Sequence, residues 1–278
     1  MLRLKVLFFI FFILLNSCKN TQNEISIIKE NTQNLEIISA YNEAYNSLNQ
    51  GDAFYAAKKF LEVEILSPQS EWASKSVLMA SYAYYLQNYY VKAVENLERF
   101  LITYPNSKDL VYAHYLLAMC YYESIENEEK DSSPIIKAKE KFIYISKNFP
   151  DTDFAIDSKF KLDLINDMLA AKEMYIGRHY LKRNKWIASI NRFKNVLDNY
   201  DETIFVEEAL HRLVEINYKL GLEEESQKYA NILGYNYLSG DWYKKSYKIF
   251  NQDYSNIEMD NFKNDKKNVL KLFKKLFD

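Results

Sequence analysis

Small residues recur at Ala56, Ala93, Ala138, Ser189 and Ser226, and each begins the same apolar signature. Four positions on stand Phe60, Leu97, Phe142, Phe193 and Ala230. Seven positions on stand Val63, Phe100, Ile145, Val196 and Leu233. Positions i, i+4 and i+7 lie on one face of an α-helix, so each set predicts a helix that buries a single stripe. Successive sets are 37, 45, 51 and 37 residues apart. A helical unit returning at such intervals predicts a solenoid, in which each repeat packs on its neighbours and the whole presents a binding surface.

Between these helices lies a second set, so each repeat reads as two antiparallel helices. The first repeat is predicted over 36–49 and 53–66, broken at Gln50-Gly51-Asp52, where Gly51 suits a left-handed turn and Asp52 can cap the next helix. The second spans 71–87 and 89–104, and the third begins over 108–125. Val77 and His114, Ser81 and Ala118, and Tyr84 and Tyr121 form pairs 37 residues apart, equal to the Pro68–Pro105 step. Small residues at helix crossings and large ones between them predict an all-α, TPR-like α-solenoid of about five helix-turn-helix repeats. The 45-residue step comes from an acidic insertion at 123–133, after which Pro134 opens a helix. The 51-residue step predicts one long helix from Phe154 to Arg183, kinked near Gly177. The fifth repeat is predicted over 204–219 and 222–234, broken at Gly221.

The N-terminus has a different pattern. Arg3 and Lys5 precede an apolar run from Val6 to Leu15, too short to span a bilayer as a mature helix. Residues 1–17 therefore read as a signal segment. Leu15-Asn16-Ser17-Cys18 is similar to a bacterial lipobox, with Asn16 less usual than the small residues common there. The similarity implies lipidation at Cys18, an anchor, and a polar tether over 18–35. Lys19, rather than Asp, after the cysteine implies the outer membrane, facing the periplasm. At the other end, residues 264–278 carry five lysines beside an apolar stripe of Val269, Leu270, Leu272, Phe273, Leu276 and Phe277. That amphipathic helix would cap the last repeat, contact a partner or lie on an anionic membrane.

Composition supports this reading. Five glycines and four prolines in 278 residues leave little to interrupt helices, while 24 tyrosines and 17 phenylalanines suit the gaps between stacked helices. A net charge of −2 argues against nucleic-acid binding by phosphate neutralisation. His114, His179 and His211 fall in separate repeats, without HExxH or Cys/His spacing, so no metal site is predicted. P-loop, GxGxxG and GxSxG patterns are missing, and no cofactor or catalytic residue is predicted. Cys120 in LLAMCYY reads as a small core residue.

Several blocks carry a resemblance in one order: PQSEWA from Pro68, LMASYAYY from Leu78, Arg99-Phe100, Tyr104-Pro105, FPDTDFA from Phe149, and the stretch from Leu169 through Glu173 and Tyr180–Arg183 to WIASINR ending at Arg192. Over residues 38–240 the chain resembles the BamD (ComL) family of outer-membrane assembly lipoproteins. It departs from the family at Asp201, where proline is frequent, and at Met168, where arginine is common. The resemblance implies a non-enzymatic scaffold that binds a BamA-type β-barrel insertase through its POTRA domain and receives unfolded outer-membrane proteins. Asn191 and Arg192 match the family's insertase contact, with Arg192 ion-paired to the POTRA domain.

Client strands alternate apolar and aromatic residues, and Tyr82, Tyr85, Tyr115 and Tyr122 are candidates for a groove that takes them. For each tyrosine, extra core packing is an equal alternative. The expected organisation is repeats one to three over 36–150, a long helix with repeats four and five over 151–240, and a basic tail over 241–278. Two other readings remain open: another periplasmic TPR lipoprotein serving envelope or pilus assembly, and a helical-repeat lipoprotein that binds glycans.

Overall fold

The computed structural model describes residues 22–68, 70–126, 131–238 and 240–251, and among these the chain is eleven helices with no strand. They are α1 (Gln22–Asn49), α2 (Ala53–Leu66), α3 (Glu71–Leu86), α4 (Tyr90–Thr103), α5 (Leu110–Glu123), α6 (Ser133–Asn148), α7 (Asp153–Lys182), α8 (Trp186–Asn199), α9 (Val206–Lys219), α10 (Glu223–Asn236) and α11 (Asp241–Phe250). The segment 1–17, Cys18 and the stripe over 264–278 lie outside the described residues.

The predicted ladder is the core. All five small rungs are buried, as are Phe60, Leu97, Phe142, Phe193 and all five residues seven positions on; Ala230 is half-buried. Two further ladders run in register with it. Five residues before a rung, the turn between paired helices takes a left-handed residue: Gly51 (φ 89°), Asn88 (56°), Asn184 (56°) and Gly221 (73°). Only Gly, and Asn among the others, adopts this conformation readily. Eleven residues after a rung, Ser67, Tyr104, Phe149, Tyr200 and Tyr237 end their helices by donating N–H to the carbonyl of Val63, Phe100, Ile145, Val196 or Leu233. Ser70 and Thr152 then cap the next helices, accepting from Ala73 N and Ala155 N, each at 3.2 Å. In the turn that carries Asp201, the Thr203 hydroxyl donates to the Tyr200 carbonyl at 2.7 Å.

Two compact units divide between Ser124 and Ile125. The division falls in the acidic insertion, not at the predicted boundary of 150, which lies within the second unit between α6 and α7. Repeat three is where Ser133, not Gly or Asn, stands five residues before the rung. In the first unit α1 to α5 pack in sequence, and in the second α6 to α10 do so.

Three expectations change. Helix α1 begins at Gln22 instead of 36, running into the segment read as tether, which holds no Gly or Pro to stop it. Helix α7 is continuous through Gly177, whose missing side chain is demanded by packing: a Cβ there would lie 2.6 Å from Phe193 Cε1. Residues 241–250 are not part of a separate tail but form α11, which packs on α9 and α10. Trp242 and Ser246, one helical turn apart, both meet the buried His211: Ser246 Oγ lies 2.8 Å from Nδ1, and the Trp242 ring centroid 5.0 Å from the imidazole. Burial, with Arg212 adding, pushes the His211 pKa down to about 4, so this contact is built on a neutral ring.

Candidate functional site

The tyrosines of the first unit do not form one group. Tyr82 and Tyr85 stack on α3 at 6.5 Å between centroids, and Tyr90 follows at 5.8 Å from Tyr85. Tyr112 of α5 joins them: burial first, then Tyr82 and Tyr85, push its hydroxyl up to about 12. The Tyr85 hydroxyl is likewise pushed up to about 12, by burial and then by Glu123. All four rings pack against the core around Leu97, Phe100, Leu116 and Cys120. Their bodies therefore support the core, and each ring carries a hydroxyl as its polar handle. Tyr115 and Tyr122, seven residues apart on α5, are half-buried outside this group. Tyr90 and Tyr112 escaped sequence reading because the matching of α3 and α5 positions did not extend to them.

The second unit carries Asn191 and Arg192 on α8. Asn191 is exposed. Arg192 is 41% exposed and meets Glu173 of α7, whose side chain is 15% exposed. Arg192 Nη1 donates to both Glu173 carboxylate oxygens at 3.1 Å. Among the described residues, Nε and Nη2 of Arg192 meet no acceptor. One edge of the guanidinium fork is thus held and the other presented, ready for a carboxylate that can take two parallel hydrogen bonds.

The first unit also has an arginine before a core phenylalanine, Arg99 before Phe100, six residues after its rung where Arg192 is three after, and both its amino groups are engaged. Arg99 Nη1 and Nη2 take separate oxygens of Glu64, the latter at 2.8 Å, and Tyr104 donates to the same Glu64 at 2.9 Å. The sequence shows both arginines, yet only the fold shows that Glu64 engages both amino groups of Arg99 and Glu173 only one of Arg192.

Two niches occupy equivalent places, where the first helix of a repeat faces the loop entering the next. In the first unit Trp72, Lys75, Lys108 and Asp109 help to line about 290 Å³, with Lys75 Nζ 5.7 Å from the Trp72 ring. In the second, Asp163, Asp167, Asp201 and Glu202 surround about 280 Å³ beside Tyr200. Lys139, its pKa lowered by burial, flanks that niche through Asn166 at 2.9 Å and the Tyr200 ring at 5.6 Å. Met168 itself carries no charge, and further along α7 Glu173 pairs with Arg192 and Arg178 with Glu208.

Comparison with known proteins places these features in context. Residues 33–233 match the family described as YfiO, outer membrane lipoprotein; the match ends before α11. The outer membrane protein assembly factor BamD of Rickettsia prowazekii is 38% identical, over 85% of this chain and 92% of its own length. BamD of Caulobacter vibrioides is 38% identical, over 77% of this chain and 70% of its own length. BamD of Neisseria gonorrhoeae is 29% identical, over 68% and 74%.

Proposed function

The chain belongs to the YfiO (BamD) family of outer-membrane lipoproteins, and from that membership we propose that its second unit docks on a BamA-type insertase through Asn191 and Arg192. It is a component of the outer-membrane protein assembly machinery. In our reading it is a non-enzymatic scaffold, tethered by a lipidated Cys18 to the periplasmic face of the outer membrane. The observation that carries the docking assignment is the half-engaged fork of Arg192, in which Glu173 takes only Nη1. A carboxylate on the insertase POTRA domain would fill that edge. Lysine, with a single point charge, would not reproduce the two parallel bonds.

The first unit is the reception surface for unfolded barrel proteins in this proposal. The Tyr82, Tyr85, Tyr90 and Tyr112 rim supplies aromatic area with hydroxyl donors, and Tyr115 and Tyr122 extend the candidate surface along α5.

Co-purification from membranes tests the docking. Arg192→Ala and Arg192→Lys should both reduce recovery of the insertase, while Arg99→Lys leaves it unchanged. Equal recovery with Arg192→Ala would remove the assignment. Client reception is tested by crosslinking to a barrel-derived peptide ending in an aromatic residue. Tyr82→Ala should weaken crosslinking in a chain whose unfolding is checked in parallel, because Tyr82 also packs on the core.

A further inference from the structure

The Arg192–Glu173 pair has a consequence for how a partner binds. Glu173 sits on α7 with little exposure, and both its oxygens face one amino group of Arg192. The Tyr200 hydroxyl, its pKa raised by burial first, is raised further by Glu173. A partner carboxylate arriving at Nε and Nη2 would share the guanidinium with the Glu173 carboxylate. Like charges on one guanidinium repel, and in cis the pair nearly cancels at a distance.

We propose that Glu173 is an internal competitor for Arg192, a regulatory residue that holds the docking arginine partly neutralised until a partner carboxylate reaches its open edge. This rests on the docking role given to Arg192 above. The pair would make attraction short-ranged, so that Arg192 answers an anionic group placed at its fork and not any anion in the surroundings. Arg99 shows a fuller engagement, with both amino groups taken by Glu64.

The competitor reading and a purely structural reading differ in sign. If Glu173 only tied α7 to α8, removing its charge would leave partner affinity unchanged or reduce it. If it competes, Glu173→Gln, which keeps a carbonyl acceptor for Nη1 but not the charge, should tighten binding. The expected gain is about three- to tenfold, with a steeper loss of affinity on adding salt. The measurement is titration of the full mature chain against the soluble periplasmic domain of the insertase, over a range of salt concentrations.

Unchanged or weaker binding by a folded Glu173→Gln chain would overturn the proposal. Glu173→Asp provides a second reading, since the shorter acid draws back from Nη1 and should tighten binding by a smaller factor; unchanged or weaker binding there also counts against it. The Arg192→Ala arm separates the two levels. Loss of affinity in Arg192→Ala without a gain in Glu173→Gln removes the competitor and leaves the docking site. No change in Arg192→Ala removes the docking site itself.

Discussion

The two units are built on one frame and differ at two of the second unit's three rungs, since its Ala138 is an alanine like those of the first unit. In the first, the rungs are Ala56 and Ala93, and the residues twelve positions before them, Ala44 and Ser81, are also small and buried. In the second, Ser189 and Ser226 stand at the same places and donate to the carbonyls of Gly177 and Val214 across the helix pair, at 2.8 and 2.9 Å. Two arginines at different positions of the repeat differ as well: both amino groups of Arg99 engage Glu64, and only Nη1 of Arg192 engages Glu173. A repeat frame thus leaves its polar positions free to diverge, because the apolar stripe alone supplies most of the packing. The first unit turns toward aromatic surface and the second toward specific charge.

The comparison can be broken most sharply at Phe193. Phe193→Ala should cost about 3–5 kcal/mol, read by chemical denaturation as loss of the second unit's transition. The first unit should keep its own transition. An equal loss in both would show that the units do not fold on separate cores.

His211 gives the next largest effect. Its folded pKa of about 4 lies below the ordinary value of 6.5, so the unfolded chain takes up the proton first. The stability it contributes is complete above about pH 6.5, declines as pH falls, and is lost near pH 4, on the order of 3 kcal/mol. Stability against pH for the wild type and His211→Gln should diverge in that window and nowhere else. Parallel curves would mean that the ring of the α9–α11 contact is not neutral.

Gly177→Ala should cost about 2 kcal/mol, since its Cβ would meet the Phe193 ring at 2.6 Å. Combining it with Phe193→Leu should recover part of that loss, and strict additivity in the double-mutant cycle would sink the steric account. The smallest effect is at the rungs. Ser189→Ala should cost about 1 kcal/mol, whereas Ala93→Ser should be nearly neutral if its hydroxyl can reach the Ser81 carbonyl. A large loss from Ala93→Ser would show that the first unit's crossing is too tight for an oxygen, which would sharpen the difference between the units.

Much of the frame was legible along the chain. The apolar stripes, Gly51, Gly221 and Pro134 are local signals: a helix face repeats every three or four residues, and a left-handed turn demands particular residue types. Asn88 and Asn184 carry the same turn signal and become plain once they are aligned five residues before a rung. The polar segment after 240 was less legible. Its helix α11 is held by His211 and Ser246, 35 residues apart, and no local pattern announces such a contact. The tyrosines were legible as aromatic surface but not as a group, since Tyr112 joins Tyr85 only when α3 and α5 are side by side.

The sequence by itself determined that this is a helical repeat scaffold, where its helices turn, and to which family it belongs. Only the tertiary structure decided what each polar side chain is free to do. Arg99 and Arg192 both precede a core phenylalanine on the second helix of a repeat. Their fates rest on Glu64 and Glu173, which are 35 and 19 residues away in sequence. Helix formation depends on neighbours along the chain, but the engagement of a charge depends on which oxygens come within about 3 Å in space.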